Sequence, residues 1–208
     1  MFIHAASALI RIQEARFKVA SQHSQRVAFY ALMLSKELGM SDKEQKHIYL
    51  AGLLHDIGKL GIPDSCLFKP GKLTGEEWRE IKKHPVFSYE ILSVIPEMEN
   101  ISVMALYHHE RYDGKGYPEG LRDEAIPLGA RLLAVADSFD AMTSYRVYRP
   151  QMSFQVAIEE LCRCAGTQFD PQFVEAFCRF WKREGISNPG HFESAFRAFI
   201  GNDLSSKR

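Results

Sequence analysis

The chain has no surplus charge of either sign: 26 lysines and arginines stand against 26 aspartates and glutamates across 208 residues. A balanced chain lacks the basic face that draws nucleic-acid polymers or acidic membranes. Any anionic ligand must therefore be held by a local knot of positive charge or by metal. No apolar stretch approaches the roughly 20 residues that a membrane-spanning helix needs. Residues 1–9 show no basic segment ahead of a long apolar run, so no secretory signal is expected. Cysteine is scarce, and Cys66, Cys162, Cys164 and Cys178 show no paired C-x-x-C spacing. That pattern predicts reduced, mostly buried thiols in a cytoplasmic protein, not a disulfide framework. Low-complexity segments, internal repeats and long linkers are missing too. So is strand-like alternation. With 46% apolar residues, what remains is an ordinary globular chain with one substantial core.

The period that is present is helical. Val27, Tyr30, Ala31, Leu34 and Leu38 fall on one helix face, which Gly39 can end. Ser41 to Glu44 reads as a capping box opening a helix with Ile48, Leu50, Ala51 and Leu54, stopping near Gly58. Thr74 and Glu77 repeat the capping pattern ahead of Trp78 and Ile81. Helices are expected over 86–94, 101–110 and 128–142, the last strongly apolar and buried. The stretch 112–127 is dense in glycine and proline and predicts a loop. Asp170-Pro171 supplies an N-cap and a proline at the first helical position, opening a helix through Phe173, Val174, Phe177 and Phe180. Residues 194–200 predict one more short helix, and the last six residues a frayed end. An all-α fold follows.

Five of the eight histidines sit at informative places. His55-Asp56 and His108-His109-Glu110 each end an apolar helix. His23 lies one turn before Val27, on the face of the core stripe, and His84 begins a helix at Pro85. Asp137 sits inside the run Leu132-Leu133-Ala134-Val135-Ala136-Asp137 and is expected to be deeply buried. A buried carboxylate without a partner is costly, and a metal would satisfy it and the histidines together. A lone histidine on an apolar face is more often a hydrogen-bonded core residue than a ligand; joint occurrence is what carries the signal here. Imidazole and carboxylate ligands suit Fe, Mn, Zn, Ni or Co. So many ligands over-supply one ion, and a pair about 4 Å apart is a recurring device for activating water at phosphorus.

These residues resemble a known family. The segment from His55-Asp56-Ile57-Gly58-Lys59 to Ile62-Pro63 is similar to the HDIGKxxIP segment of HD-GYP phosphodiesterases. Their HHExxDGxGYP loop is matched without departure from His108 to Pro118. Lys69 to Thr74, His84-Pro85, Val135 to Met142, Arg146, Tyr148-Arg149-Pro150 and Phe169-Asp170-Pro171 also fit, so the resemblance runs from about His23 to Phe180. It implies an HD-domain helical bundle with a binuclear site. It implies metal ligation by His23, His55, Asp56, His84, His108, His109 and Asp137, with Asp56 bridging iron or manganese ions. One departure is Val19, at a place where some members carry a glutamate for a third metal; this favours two ions.

The implied activity is hydrolysis of cyclic di-GMP to linear pGpG or GMP, catalysed by Asp56 and Lys59. Lys59 follows the aspartate by one turn and can offset phosphate charge, as lysine commonly does; a solvated helix-end lysine is the plainer reading. Arg146 and Arg149 are three apart and could grip the second phosphate or a guanine edge. Tyr117 is expected to stack on a base or close the loop, while Gly114, Gly116 and Gly120 give that loop permissive backbone angles. Asp140 and Glu110 are expected at the helix surface or behind the ligands. The aromatics Phe169, Phe173, Phe177, Phe180 and Trp181 read as C-terminal core or the face of a homodimer. The division expected is an N-terminal extension over 1–22, a catalytic domain over 23–183 and a C-terminal extension over 184–208. Two other readings stay open: a phosphohydrolase for another cyclic dinucleotide or nucleotide, and a non-catalytic module whose Tyr117 loop recruits a signalling protein.

Overall fold

A computed structural model describes residues 2–144 and 151–184. Arg146, Arg149 and the helix expected over 194–200 lie outside the described residues, as does the chain's end. The described helices are α1 (Phe2–Arg16), α2 (Lys18–Glu37), α3 (Asp42–Leu54), α4 (Asp64–Leu67), α5 (Gly75–Ile81), α6 (His84–Ser93), α7 (Glu99–Tyr107), α8 (Leu128–Thr143), α9 (Phe154–Arg163) and α10 (Pro171–Glu184). Short 3₁₀ turns occupy Ile57–Gly61, Pro96–Met98 and Asp123–Ala125. Among the described residues there is no strand, only two isolated β-bridges.

Local sequence explains most helix starts. Ser41 Oγ accepts from the Glu44 amide while the Glu44 carboxylate accepts from the Ser41 amide, so the capping box of α3 is complete. Thr74 and Glu77 do the same for α5. Ser153 caps α9, and Asp170 Oδ1 accepts from the Gln172 amide at 2.9 Å ahead of α10. Leu38 caps α2, and Gly39 follows it with φ of 67°, a left-handed residue that glycine takes at no steric cost.

Helix α2 packs against α3, α8 and α10, and α8 packs against α7 and α9. Between them Tyr30, Phe139, Phe154, Phe177 and Trp181 form one aromatic core, with Tyr30 and Phe139 edge-to-face at 5.0 Å. Phe169, Phe173, Phe177, Phe180 and Trp181 are all buried, so they are core. Leu34, Ile48, Leu54, Leu92 and Ile101 are fully enclosed, each contributing about 1.5–3 kcal/mol by leaving water. The N-terminal helix is tied on by Gln13, whose amide donates to Ser24 Oγ at 2.9 Å and the Leu53 carbonyl at 3.3 Å.

Three expectations are corrected. Helix α7 ends at Tyr107 instead of continuing to Glu110; the chain must turn there to aim His108 and His109 at different points. The thiols are not mostly buried: Cys66 is, Cys162 is exposed, and Cys164 and Cys178 are intermediate. Asp137 is not deeply buried either, with 17% of its side chain exposed, because that face of α8 opens on the site.

Candidate metal centre

Helix ends build the site. The last carbonyls of an α-helix have no intrahelical donor, and histidines here cap them. His55 Nδ1 bonds the Gly52 carbonyl at 2.8 Å in the last turn of α3. His84 Nδ1 bonds Ile81 O at 2.7 Å at the end of α5, and His108 Nδ1 bonds Ala105 O at 2.7 Å in the last turn of α7. A carbonyl only accepts, so each Nδ1 carries the proton and each Nε2 presents a lone pair. One capping device thus aims three imidazoles inward.

The inward atoms meet one another. His84 Nε2 lies 3.2 Å from Asp56 Oδ1 and 3.1 Å from His109 Nε2. His55 Nε2 is 3.3 Å from Asp56 Oδ2. His23 Nε2, reaching in from α2, is 3.2 Å from Asp137 Oδ1 on α8 and 3.9 Å from Asp56 Oδ2. Three overlapping groups, His84–His108–His109, His23–His55–Asp137 and His55–Asp56–His108, each keep their ligand atoms within 4.8 Å. All seven residues expected to ligate metal are therefore brought together.

The donor set fits a divalent ion. His55 Nε2, His108 Nε2 and Asp56 Oδ1 are buried without a hydrogen-bond partner. Acceptors facing acceptors in a dry pocket are unfavourable unless a cation lies among them. Burial holds the His109 imidazole down near about 3. Burial, and then the neighbouring imidazoles His109, His55 and His84, hold His108 well below its ordinary value. Both rings are neutral, as metal ligands must be. Burial opposes charge on Asp56, yet Lys59 and His55 hold it well below the usual carboxylate range. Lys59 Nζ donates to Asp56 Oδ2 at 2.5 Å.

Two structures stand behind these ligands. The first runs through Asp140, expected either at the helix surface or behind the ligands, which is fully buried behind them. It accepts from His23 Nδ1 at 2.7 Å, from Arg26 Nε at 2.6 Å and from Arg26 Nη2 at 3.1 Å. Burial alone would lower the His23 pKa, but hydrogen bonds to Asp137 and Asp140 outweigh it and raise it to about 9, so with no ion bound Nε2 keeps a proton that a metal would have to displace. The available signal was spacing: Arg26 is three residues after His23, and Asp140 three after Asp137, one face each. The second is the turn after the His–Asp pair. The Gly58 amide donates to Ser88 Oγ at 2.8 Å, and that hydroxyl donates to the His55 carbonyl at 2.8 Å. A Cβ at Gly58 would sit 2.0 Å from His84 O, so only glycine lets the His55 turn lie against α6.

The loop after α7 closes over the cluster. Tyr117 lays its ring on His109, centroids 4.8 Å apart. Glu110 is buried and clamps the loop, its Oε1 accepting from the Glu119 and Gly120 amides at 2.7 and 2.9 Å. Arg111 forks onto Asp113 at 3.0 and 2.7 Å. Gly114 and Gly120 have positive φ, but Gly116 is needed for another reason. Its Cβ would meet the Arg111 nitrogen at 2.3 Å and Glu110 Cα at 2.5 Å.

A helical shell whose helix ends turn five histidines and two aspartates onto one centre is the architecture of an HD-type domain. A family model described as HD domain matches residues 7–173, and the chain belongs to the HD domain family, in its HD-GYP branch. It is 45% identical over 175 residues to the cyclic di-GMP phosphodiesterase response regulator RpfG of Xanthomonas campestris pv. campestris, covering 83% of this chain and 46% of that protein. It is 39% identical to 3′3′-cGAMP-specific phosphodiesterase 2 of Vibrio cholerae, covering 81% of this chain and 33% of that one. The crystal structure of a cyclic GMP-AMP-specific phosphodiesterase of V. cholerae shares the fold, with a TM-score of 0.66 at 19% identity over 89% of this chain and 48% of that one. The chain spans less than half the length of these relatives.

Proposed function

We propose that the chain is a metal-dependent phosphodiesterase that hydrolyses cyclic di-GMP. The observation that carries this is the set of buried, unpartnered lone pairs on His55, His108 and Asp56, beside an ammonium on the Asp56 carboxylate. His23, His55, Asp56, His84, His108, His109 and Asp137 would hold two ions, iron or manganese by resemblance to the family, a choice that imidazole and carboxylate donors allow alongside Zn, Ni or Co. When bound, such a pair lowers the pKa of coordinated water and offsets charge on phosphoryl oxygens. Asp56, central to the imidazoles, would hold the ions through its carboxylate. Lys59 donates to that carboxylate, and with ions held there its ammonium would bind a non-bridging oxygen of the phosphate under attack. Tyr117 covers His109 and would meet substrate with the part of its ring that His109 and Lys82 leave free. Arg146 and Arg149 contribute guanidinium forks for phosphate or guanine. The catalytic unit spans 23–183, flanked by extensions, and works in the cytoplasm.

Relatives named for 3′3′-cGAMP support a second reading, in which the same site prefers a mixed cyclic dinucleotide. The test is an anaerobic preparation reconstituted with Fe(II) or Mn(II), analysed for metal content and offered both cyclic dinucleotides, with products separated by chromatography. Turnover of cyclic di-GMP to pGpG or GMP, lost in Asp56→Ala together with bound metal, is expected. Full turnover in Asp56→Ala would overturn the metal mechanism. Bound metal without hydrolysis would favour a binding module that recruits a signalling partner through the Tyr117 loop. No described helix is long and apolar enough to cross a membrane.

A further inference from the structure

We propose that Lys82 binds the second phosphodiester of the cyclic dinucleotide, the one not under attack; this rests on the substrate class proposed above. The geometry that points to it is an ammonium laid over Tyr117, one aromatic ring away from the ligand His109. Lys82 Nζ is 4.9 Å from the Tyr117 ring centroid and 5.8 Å from that of Trp78, and the Tyr117 ring packs on His109 at 4.8 Å.

Three nearby lysines are spoken for. Lys69 pairs with both oxygens of Glu77 at 2.8 and 2.7 Å. Lys83 pairs with both oxygens of Glu80 at 2.7 Å. Lys59 is on Asp56. Lys82 has only ring faces as neighbours among the described residues. A cation held on a π face still has its N–H donors to give. An ammonium so placed lacks the acceptor it is built to meet, and an anion completes it.

Its backbone is fixed relative to the metal cluster. The Lys82 amide caps α5 by donating to Trp78 O at 3.1 Å. The preceding residue, Ile81, gives its carbonyl to His84 Nδ1. The same turn that orients a metal ligand therefore carries the lysine. A cyclic dinucleotide has two phosphodiester charges. The cluster and Lys59 serve one. In a chain of zero net charge no broad field serves the other, so local cations at the rim must, and Lys82 is placed to be one of them.

The test uses the metal-reconstituted full chain with Lys82→Gln and Lys82→Arg, on cyclic di-GMP and on bis(p-nitrophenyl) phosphate, which has a single diester. In Lys82→Gln, KM for cyclic di-GMP should rise about 10- to 100-fold, the loss of one charge-assisted hydrogen bond. The rise for the single diester should be much smaller, and Lys82→Arg should restore most of the affinity. The salt sensitivity of kcat/KM should fall with the lost charge, while metal content stays at the wild-type level. Equal losses on both substrates, a fall in kcat at unchanged KM, or lost metal would each overturn the assignment. They would mean that Lys82 acts through His84. If wild type cleaves the single diester but no cyclic dinucleotide, the substrate reading itself fails and takes Lys82 with it. An active wild type with an unaffected Lys82→Gln removes Lys82 alone.

Discussion

Replacing Asp140 with asparagine tests whether the centre is oriented from behind. The carboxylate is fully buried and takes three donors. Oδ1 accepts from Arg26 Nε, and Oδ2 accepts from Arg26 Nη2 and His23 Nδ1. An asparagine keeps one acceptor oxygen. Its NH₂ then faces donors, whichever way the amide is turned. With the NH₂ towards His23, either the ring's proton moves to Nε2, which abolishes the inward lone pair, or the ring rotates away from Asp137; with the NH₂ towards Arg26 Nε, the pair that holds the side chain in place is broken instead. Losing a buried hydrogen bond to a charged group costs about 1.5–3 kcal/mol. Loss of a ligand's orienting partner typically weakens metal binding by about 10–100-fold. In a chain of this size, ~2 kcal/mol lowers Tm by about 4–8 °C. The assay is a competitive chelator titration with Mn(II), alongside thermal melts of the metal-free protein. Arg26→Gln is the control. It weakens the support of Asp140 but leaves the Asp140–His23 bond, so Tm should drop while metal affinity falls much less. If Asp140→Asn binds Mn(II) as tightly as wild type, or if the two variants lose affinity equally, the argument that Asp140 aims His23 is refuted.

Other outcomes follow from the same geometry. Gly116→Ala puts a methyl into the Arg111–Glu110 backbone, so the Tyr117 loop must move. Turnover should fall at least tenfold while stability drops by only about 1–3 kcal/mol, and wild-type turnover would refute the close approach. Asp113 is held down at about 2, first by the Arg111 fork, against its own burial, and then by the Lys115 amide. A depressed carboxylate stabilises above its unfolded value of 3.8 and loses that contribution as pH falls towards about 2. The Tm gap between wild type and Asp113→Asn should therefore be full above pH 4 and shrink below it, as read by melts from pH 6 to pH 2.5; a gap independent of pH would refute it. Chelation should lower Tm, and readdition of Mn(II) should restore it, binding at a hundred times Kd adding about 2.7 kcal/mol of stability; an unchanged Tm would mean that the lone pairs bind no ion.

Much of the fold could be read from residue chemistry. The capping boxes at Ser41 and Thr74, the Asp170-Pro171 start and the Gly39 stop are local interactions, settled within a few residues, and all appear as expected. The 128–142 helix was legible because its apolar content leaves no exposed alternative. What misled was inference from neighbours in sequence. Asp137 follows five apolar residues and so looked buried, yet it opens on the site. Asp140, three residues on, could be read as helix surface or as a place behind the ligands, and only packing encloses it there. A helix rotates 100° per residue, so the environment of one position says little about the next until the packing partner is known. Glu110 was underrated for a similar reason: its partners, the Glu119 and Gly120 amides, exist only once the loop folds back.

By itself the sequence determined which groups are available: five histidines and two aspartates at helix ends and core faces, in an order that resembles one family. That set of donors fixes the kind of chemistry. Only the tertiary structure decided that they share one centre, that Nδ1 atoms spent on helix carbonyls leave Nε2 lone pairs inward, and that Arg26 and Asp140 stand behind His23. The physical reason is range. Capping and periodicity act over three or four residues, whereas α2, α3, α6, α7 and α8 meet only when their apolar faces leave water together.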